Sequence, residues 1–230
     1  PLRDRAREGV ESRGIRCAHP TLALRRNLIA DSLPQVSMVH WESESYSPVV
    51  HFPETPVVLD LSGSTPYGSP SSIWTVGRYD EVRGIYNTDL FSDGRTVHVG
   101  IDLGGPVGTP VHAFMDGVIH AAGYNAQDGD YGHTVVLHHQ IDGTDVWALF
   151  GHLDEASTIG VEKGMQVHAG QIIGHLGNES ENGGWPPHVH IQLSLIEPET
   201  HDLPGVVHPD EREWALSVFP DPRHVLGALY

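Results

Sequence analysis

Short strand-like runs separated by turn residues dominate the chain from about residue 55 onward, and they constrain the fold more than any other feature. Gly, Pro, Asn or Asp stands between one apolar run and the next. In the stretch QIDGTDV, Asp142-Gly143 predicts a hairpin turn because these residues tolerate a positive φ. Many short strands at even spacing predict a mainly β fold, either an antiparallel sheet or a half-open barrel. The predicted strands are 96–103, 109–114, 117–123, 133–139, 145–153, 166–170, 171–177 and 188–196.

The two ends of the chain differ from this β region. Leucines and isoleucine at helical spacing predict a short amphipathic helix over 21–33, and the polar, proline-punctuated stretch after it predicts an extended arm. We therefore divide the chain into an N-terminal helical or extended arm, 1–54, and a β domain, 55–230, whose motif core is 96–196. Near the C-terminus, HPDEREWALSVFP predicts a peripheral helix opened by Pro209-Asp210.

Composition excludes several classes of function. The formal net charge of -17 disfavours nucleic-acid binding. No apolar run is long enough for a membrane span, and the polar N-terminus is unlike a secretory signal, so the compartment stays open. The single cysteine, Cys17, permits neither an internal disulfide nor a thiolate metal cluster. Histidine is unusually abundant, at 17 residues, which directs attention to a metal site.

Histidines and one aspartate recur on the predicted strands. His188 and His190 flank one valine, so on a strand they project from the same face. His98 and Asp102, in HVGID, also have an even spacing, and His152 ends the run FGHL. Such residues on facing strands could close around one zinc ion and leave a position for water, whose pKa falls towards about 7. Taken singly, a histidine on a strand is usually a partly buried polar residue with a hydrogen-bond partner.

Five motifs in this order resemble the lysostaphin/LytM-type zinc endopeptidase family. They read HVGID, GHTVVLHH, FGHL, VEKGMQVHAGQIIG and GGWPPHVHIQL, and they extend over about 95 residues. The resemblance implies an antiparallel β-sheet groove with a single zinc in its floor. His133 and Gln192 stand where the family usually has Asn and Glu. Neither position is a ligand in the family, so we expect an intact site.

Carried over by position, the resemblance implies a role for each motif residue. It makes His98, Asp102 and His190 the zinc ligands, and it makes His152 and His188 the catalytic histidines. One of these two would take a proton from water and the other would hydrogen-bond to the oxyanion, in either assignment. The expected activity is zinc-dependent hydrolysis of peptide bonds. We expect His139 to lie behind the ligands, and Trp185 and Tyr131 either to wall the cleft against substrate or to cap the sheet.

A narrower resemblance concerns the form GGWPPHxHxQL together with LPGVVHP and LSVFPDPRHVLG. These stretches are similar to a LytM-like module that lies between an aminoglycoside-kinase-like domain and a class III aminotransferase in certain large bacterial proteins. Two substrate classes therefore remain. A cell-envelope enzyme would cut peptidoglycan peptides, whereas a cytoplasmic module would hydrolyse a small amide metabolite. A third alternative is a non-catalytic module that binds or regulates a partner.

Overall fold

The computed structural model describes residues 39–63, 72–86 and 89–230. The predicted helix at 21–33 lies outside the described residues. The compact unit that contains the described residues begins at Val36. Val49 and Val50 are buried in the hydrophobic core of the β domain, so this part of the predicted arm packs with it, and the boundary after residue 54 stays a prediction.

Strands dominate the described residues, as the sequence predicts, and most of the chain between them is turn or loop. The predicted run 96–103 is divided into two strands. Four short strands were not predicted, namely Val57–Val58, Thr75–Gly77, Glu81–Val82 and Val206–Val207. In chain order the strands are β1 Val57–Val58, β2 Thr75–Gly77, β3 Glu81–Val82, β4 Val97–His98, β5 Ile101–Gly104, β6 Pro110–His112, β7 Gly117–Asn125, β8 Gly132–Ile141, β9 Thr144–Leu153, β10 Gln166–Val167, β11 Ile172–His175, β12 His188–Ser194 and β13 Val206–Val207.

One eight-stranded sheet organises this part of the chain, in the order β1-β2-β5-β12-β9-β8-β7-β10. Its first pair, β1 and β2, is parallel, and the pairs that follow are antiparallel. The sheet begins and ends on different strands, so it is open and does not close into a barrel. Two smaller sheets, β11-β6 and β13-β4-β3, complete the described strands.

The long hairpin of β8 and β9 forms the middle of the large sheet. Its turn contains Asp142 with φ 48° and Gly143 with φ 75°, and Ile141 pairs with Thr144 on either side. Two consecutive positive φ values match the right-handed twist of the strands, which confirms the predicted turn. Because the turn fixes the register, it also fixes which residues of β9 lie beside β12.

The hydrophobic core is built from the inner strands of this sheet and the segment that follows β6. Ile101, Leu137, Phe150 and Ile191, one from each of β5, β8, β9 and β12, are fully buried and belong to one cluster with Phe114. Removing these side chains from water supplies roughly 1.5–3 kcal/mol each. Burial of these apolar side chains stabilises the pairing of β5 with β12, and both strands carry residues of the candidate site.

Helices in the described residues are short and peripheral. A 3-10 turn at Pro209–Glu211 leads into α1, Arg212–Val218, as predicted, and α2 is Arg223–Leu226. The His208 side chain caps the 3-10 turn by accepting a hydrogen bond from the Asp210 N–H. Other 3-10 turns are Trp41–Ser43, Asp89–Phe91 and Glu155–Thr158. Among residues 39–63, 72–86 and 89–230, none of the helices has the length and apolar character needed to cross a bilayer.

Candidate metal centre and active site

A break in the predicted strand 96–103 brings His98 and Asp102 together. β4 pairs with β13 and β3, whereas β5 pairs with β2 and β12. In one continuous strand these two residues would be about 13 Å apart. Here His98 Nε2 lies 3.2 Å from Asp102 Oδ1. The two residues are therefore neighbours because the strand is interrupted at Val99-Gly100, where the chain bends, and not because of their even spacing in the sequence.

His190 completes the cluster from β12. It pairs with Asp102 on one side and with Gly151 on the other. Its Nδ1 lies 3.0 Å from Asp102 Oδ1 and 3.0 Å from His98 Nε2. One atom from each of the three residues lies within 4.8 Å of the other two. Ligands at about 2.0–2.1 Å from a tetrahedral zinc are about 3.3 Å apart, so the separations suit a metal of that size.

The hydrogen bonds that His98 and His190 make away from the cluster indicate which ring nitrogen of each directs a lone pair into it. His98 Nδ1 lies 2.8 Å from the carbonyl oxygen of Arg78, to which it donates, so Nε2 is an acceptor. His190 Nε2 lies 3.3 Å from Gln192 Oε1, which leaves Nδ1 as the acceptor. In the tautomers that these outward hydrogen bonds favour, two nitrogen lone pairs and a carboxylate oxygen converge. Such an arrangement is stabilised by a cation.

Burial sets the protonation states that a metal requires. Desolvation, with help from the charge of Arg83, lowers the pKa of His98 to about 4. Burial by itself would raise the pKa of Asp102, but the neighbouring His98 and Arg83 hold it well below its ordinary value. At neutral pH the site therefore offers neutral imidazole and ionised carboxylate, which is the donor set of a zinc site with a position left open.

His152 and His188 lie beside this cluster with their rings in contact. The ring centroids are 4.2 Å apart, and His188 Nε2 lies 3.8 Å from Asp102 Oδ1. His152 Nδ1 lies 2.7 Å from the Asn182 carbonyl oxygen, and His188 Nδ1 lies 2.7 Å from that of Pro186. Each Nδ1–H is thus held by the backbone, which leaves Nε2 of both rings available for proton exchange.

The backbone of His152 is itself unusual. Its φ is 62°, a conformation that residues other than glycine adopt rarely, at the end of β9. Its N–H donates to the Tyr131 carbonyl and its own carbonyl accepts from Gly177 N–H. These two backbone hydrogen bonds hold His152 in this conformation. Burial and the adjacent His188 hold the pKa of His152 well below its ordinary value. Burial also lowers the pKa of His188.

Trp185 and Tyr131 occupy different environments. Trp185 is half-buried, donates through Nε1 to the Gly129 carbonyl at 3.1 Å, and has an edge contact with Tyr86, so it stands at the rim of the site. Tyr131 is only 7% exposed, and its hydroxyl donates to Gln192 Oε1 at 3.3 Å beside His190. The Tyr131 ring packs against that of His190, with the centroids 5.1 Å apart, and its contact with substrate stays a prediction.

His139 does not lie behind the ligands. Its Nδ1 lies 2.9 Å from the Asp116 carbonyl oxygen and its ring packs against Phe114. It pairs with Val146, whereas His190 pairs with Gly151, five residues further along β9. That separation corresponds to about 17 Å along the strand. A histidine in a strand motif gives no indication of its position along the sheet.

Three residues that support the site were not identified from the sequence. Arg83 donates to Asp102 Oδ2 at 2.7 Å, and the fully buried Asn182 accepts from Trp185 N–H at 3.0 Å. Gln192, noted only as a departure from the family, orients His190. Arg83 and Asn182 stand outside the five motifs of the family pattern, so that pattern assigns no role to either of them.

The model of peptidase family M23 matches residues 96–201, the stretch that carries all five candidate site residues. The DD-carboxypeptidase/endopeptidase Mpg of Neisseria meningitidis serogroup B is 36% identical over 99 residues, which are 43% of this chain and 20% of Mpg. The peptidoglycan DD-endopeptidase ShyA of Vibrio cholerae is 38% identical over 96 residues, which are 42% of this chain and 20% of ShyA. The catalytic domain of lysostaphin from Staphylococcus simulans matches with 28% identity, 58% of this chain, 81% of its own chain and a TM-score of 0.41.

The chain spans about a fifth of the length of these two curated relatives. The family match and the relatives support a peptidase of the M23 type at residues 96–201 and agree with the predicted lysostaphin/LytM resemblance. The flanking kinase-like and aminotransferase domains stay a prediction.

Proposed function

We propose that the domain is a zinc-dependent peptidase that hydrolyses peptide bonds of the peptidoglycan type. His98, Asp102 and His190 would hold the zinc. The observation that carries the proposal is the convergence of two imidazole lone pairs and one carboxylate oxygen, within 4.8 Å of one another, next to a pair of histidines. A bound zinc supplies a Lewis acid that polarises a carbonyl and makes water acidic near neutral pH.

The proposed proton transfers fall to His152 and His188. Both rings are neutral near pH 7 because burial lowers their pKa values. Each directs Nδ1–H to a backbone carbonyl, so Nε2 is the atom that accepts a proton from the attacking water and returns it to the leaving amine. The second ring, 4.2 Å away, would donate a hydrogen bond to the developing oxyanion from Nε2 once that atom has taken up a proton from solvent, because its Nδ1–H is already bound to the backbone. The near-equivalent anchoring of the two rings leaves both assignments open.

The substrate class rests on the relatives. Mpg and ShyA are named as enzymes that cleave DD-peptide bonds, and ShyA is named for peptidoglycan. We propose a peptide of that kind for this chain. The half-buried Trp185 at the rim would contact it. The net charge of -17 favours the second candidate, a small amide metabolite handled by a larger cytoplasmic protein, because such a charge repels anionic wall polymers.

The proposal is tested with purified peptidoglycan. Zinc-loaded wild type, His188→Ala and His152→Ala would be incubated with it, and the soluble products identified by mass spectrometry. His168→Ala is the matched control because this histidine is exposed and its ion-pair partner is Asp116, outside the cluster. We expect wild type and control to release peptide fragments, and each catalytic variant to be slower by roughly 10²–10⁴-fold with zinc retained.

Three other results would change the conclusion. Zinc binding without release of fragments would reject the peptidoglycan substrate and favour an amide metabolite. Undiminished release by both His188→Ala and His152→Ala would refute the proposed catalytic pair. A wild type that binds no zinc would favour the non-catalytic module.

A further inference from the structure

A buried arginine lies directly behind the candidate metal ligand Asp102. The side chain of Arg83 is 4% exposed, and its guanidinium lies between two carboxylates. Nη1 donates to Asp102 Oδ2 at 2.7 Å, and Nε donates to Glu81 Oε2 at 3.0 Å. Nη1 also donates to the Tyr86 hydroxyl, and Nη2 to the Arg78 carbonyl. A rigid planar fork with several donors suits this position, and a lysine ammonium could not satisfy all of these partners.

The two oxygens of Asp102 are thereby given separate partners. Oδ1 faces His98 Nε2 and His190 Nδ1, at 3.2 and 3.0 Å. Oδ2 faces away from them, to Arg83. A carboxylate whose second oxygen accepts a charge-assisted hydrogen bond cannot turn that oxygen towards a cation without breaking the bond. The contact therefore restricts Asp102 to one donor atom.

Gly77 makes room for this contact. It pairs with Asp102 across β2 and β5. A Cβ atom at Gly77 would lie 2.7 Å from Asp102 Oδ2 and 2.8 Å from Arg83 Nη2, so any other residue would displace the hydrogen bond itself. The hydrogen bond between Arg83 and Asp102 therefore requires a glycine at position 77.

Charge balance explains why the arginine can be buried here. An unpaired buried guanidinium is strongly destabilising, whereas one between two carboxylates is not. Burial tends to lower the pKa of Arg83, but Tyr86, Asp102 and Glu81 together raise it above its ordinary value, so the group stays protonated. Glu81 is itself held, since its Oε1 accepts from the Leu61 N–H at 3.2 Å. The backbone thus anchors the network at its far end.

We propose that Arg83 is a positioning residue for the metal centre: by occupying Asp102 Oδ2, with Glu81 as its anchor, it fixes Asp102 as a single-oxygen ligand. The inference rests on the proposed zinc site, and it does not depend on which peptide the protein cleaves. It assigns to a residue outside the five family motifs a function in metal affinity and coordination number.

The first test is the zinc affinity of Arg83→Met, measured by competition with a chromogenic chelator. Outer partners of metal ligands typically contribute 10–100-fold to affinity, and we expect a loss of that size. Arg223→Met is the matched control, because its guanidinium also pairs with a carboxylate, that of Asp221 at 2.6 Å, and neither residue belongs to the candidate metal cluster. The control should bind zinc like the wild type.

A second variant keeps the test valid if Arg83→Met folds poorly. The double change Glu81→Gln with Arg83→Met removes both charges of the anchor together and retains an acceptor for Leu61 N–H. We expect it to fold, as monitored by circular dichroism, and to lose zinc affinity by the same 10–100-fold. Gly77→Ala, which alters no charge, should weaken zinc binding in the same direction.

Coordination number provides a readout that a merely structural role would not change. In Co²⁺-loaded protein, visible absorption is stronger when the metal has fewer ligands. We expect weaker absorption in Arg83→Met and in the double variant, because Oδ2 is released to join the metal. Zinc affinity and Co²⁺ spectra equal to those of the wild type in both would overturn the inference. A wild type that binds no zinc would overturn the metal site and this inference together, whereas one that binds zinc without cleaving peptide would overturn only the activity.

Discussion

The histidine buried in the core, His139, makes the stability of the fold depend on pH. It is 1% exposed, its Nδ1 donates to the Asp116 carbonyl, and its Nε2 is buried with no hydrogen-bond partner among the described residues. Desolvation is the main cause that lowers its pKa from 6.5 to about 4. The ring is therefore neutral in the folded protein at pH values where the unfolded chain would already bind a proton.

The magnitude follows from that difference in pKa. At 1.36 kcal/mol per unit, the drop from 6.5 to about 4 corresponds to about 3 kcal/mol. The sign is fixed because between these two values the unfolded state binds more protons, so stability rises with pH. This contribution is complete above pH 6.5 and is lost as the pH falls from 6.5 to about 4.

The assay is urea unfolding of wild type and His139→Asn at pH 7.5 and at pH 4.5. Asparagine keeps an N–H donor near the Nδ1 position and does not titrate. The variant should be less stable at pH 7.5 because it loses ring contacts with Phe114. Between the two pH values, however, the wild type should lose about 2–3 kcal/mol more than the variant. Equal losses in both proteins would refute the reasoning. Other buried histidines titrate in both proteins and cancel in this comparison.

Three further substitutions test the packing around the site. Gly100→Ala should weaken zinc binding measured by chelator competition, because its Cβ would lie 2.3 Å from His190 Cε1; unchanged affinity would contradict the close approach. Tyr131→Phe should keep zinc but lower the urea-unfolding free energy by about 1 kcal/mol, since it removes the hydrogen bond to Gln192; a loss of zinc would instead show that the hydroxyl is needed for the metal. Gly143→Ala should cost about 1–2 kcal/mol in the same assay, because φ is 75° there although space is open; an unaltered midpoint would refute the strain at the hairpin turn.

Two local features were predictable from the sequence because they depend only on strand periodicity and on turn geometry. His188 and His190 point to one face, and the hairpin at Asp142-Gly143 has the predicted geometry. The break between His98 and Asp102 was not predictable, since a run such as TVHVGIDL satisfies strand propensity throughout. The break depends instead on pairing with two different sheets, and such tertiary pairing overrides local pattern.

Depth in the fold was the other property that the sequence did not reveal. Tyr131 and His139 are residue types that occur at clefts and in cores alike. The burial of His139 follows from the register of β8 on β9, which sequence periodicity leaves open. Tyr131 precedes β8, and its hydroxyl reaches Gln192 on β12. Arg83 was also unpredictable, because its partners Glu81 and Asp102 are brought together by β2, β3 and β5. Single residues that act through tertiary contacts leave no periodic signal.

The most direct test of the metal centre is the zinc content of the dialysed protein, determined by plasma emission spectroscopy. We predict about one zinc per chain in wild type and in His188→Ala, and almost none in His190→Ala, whose Nδ1 is one of the three converging donors. Zinc retained at full occupancy in His190→Ala, or absent from the wild type, would contradict the assignment of His98, Asp102 and His190 as the metal ligands.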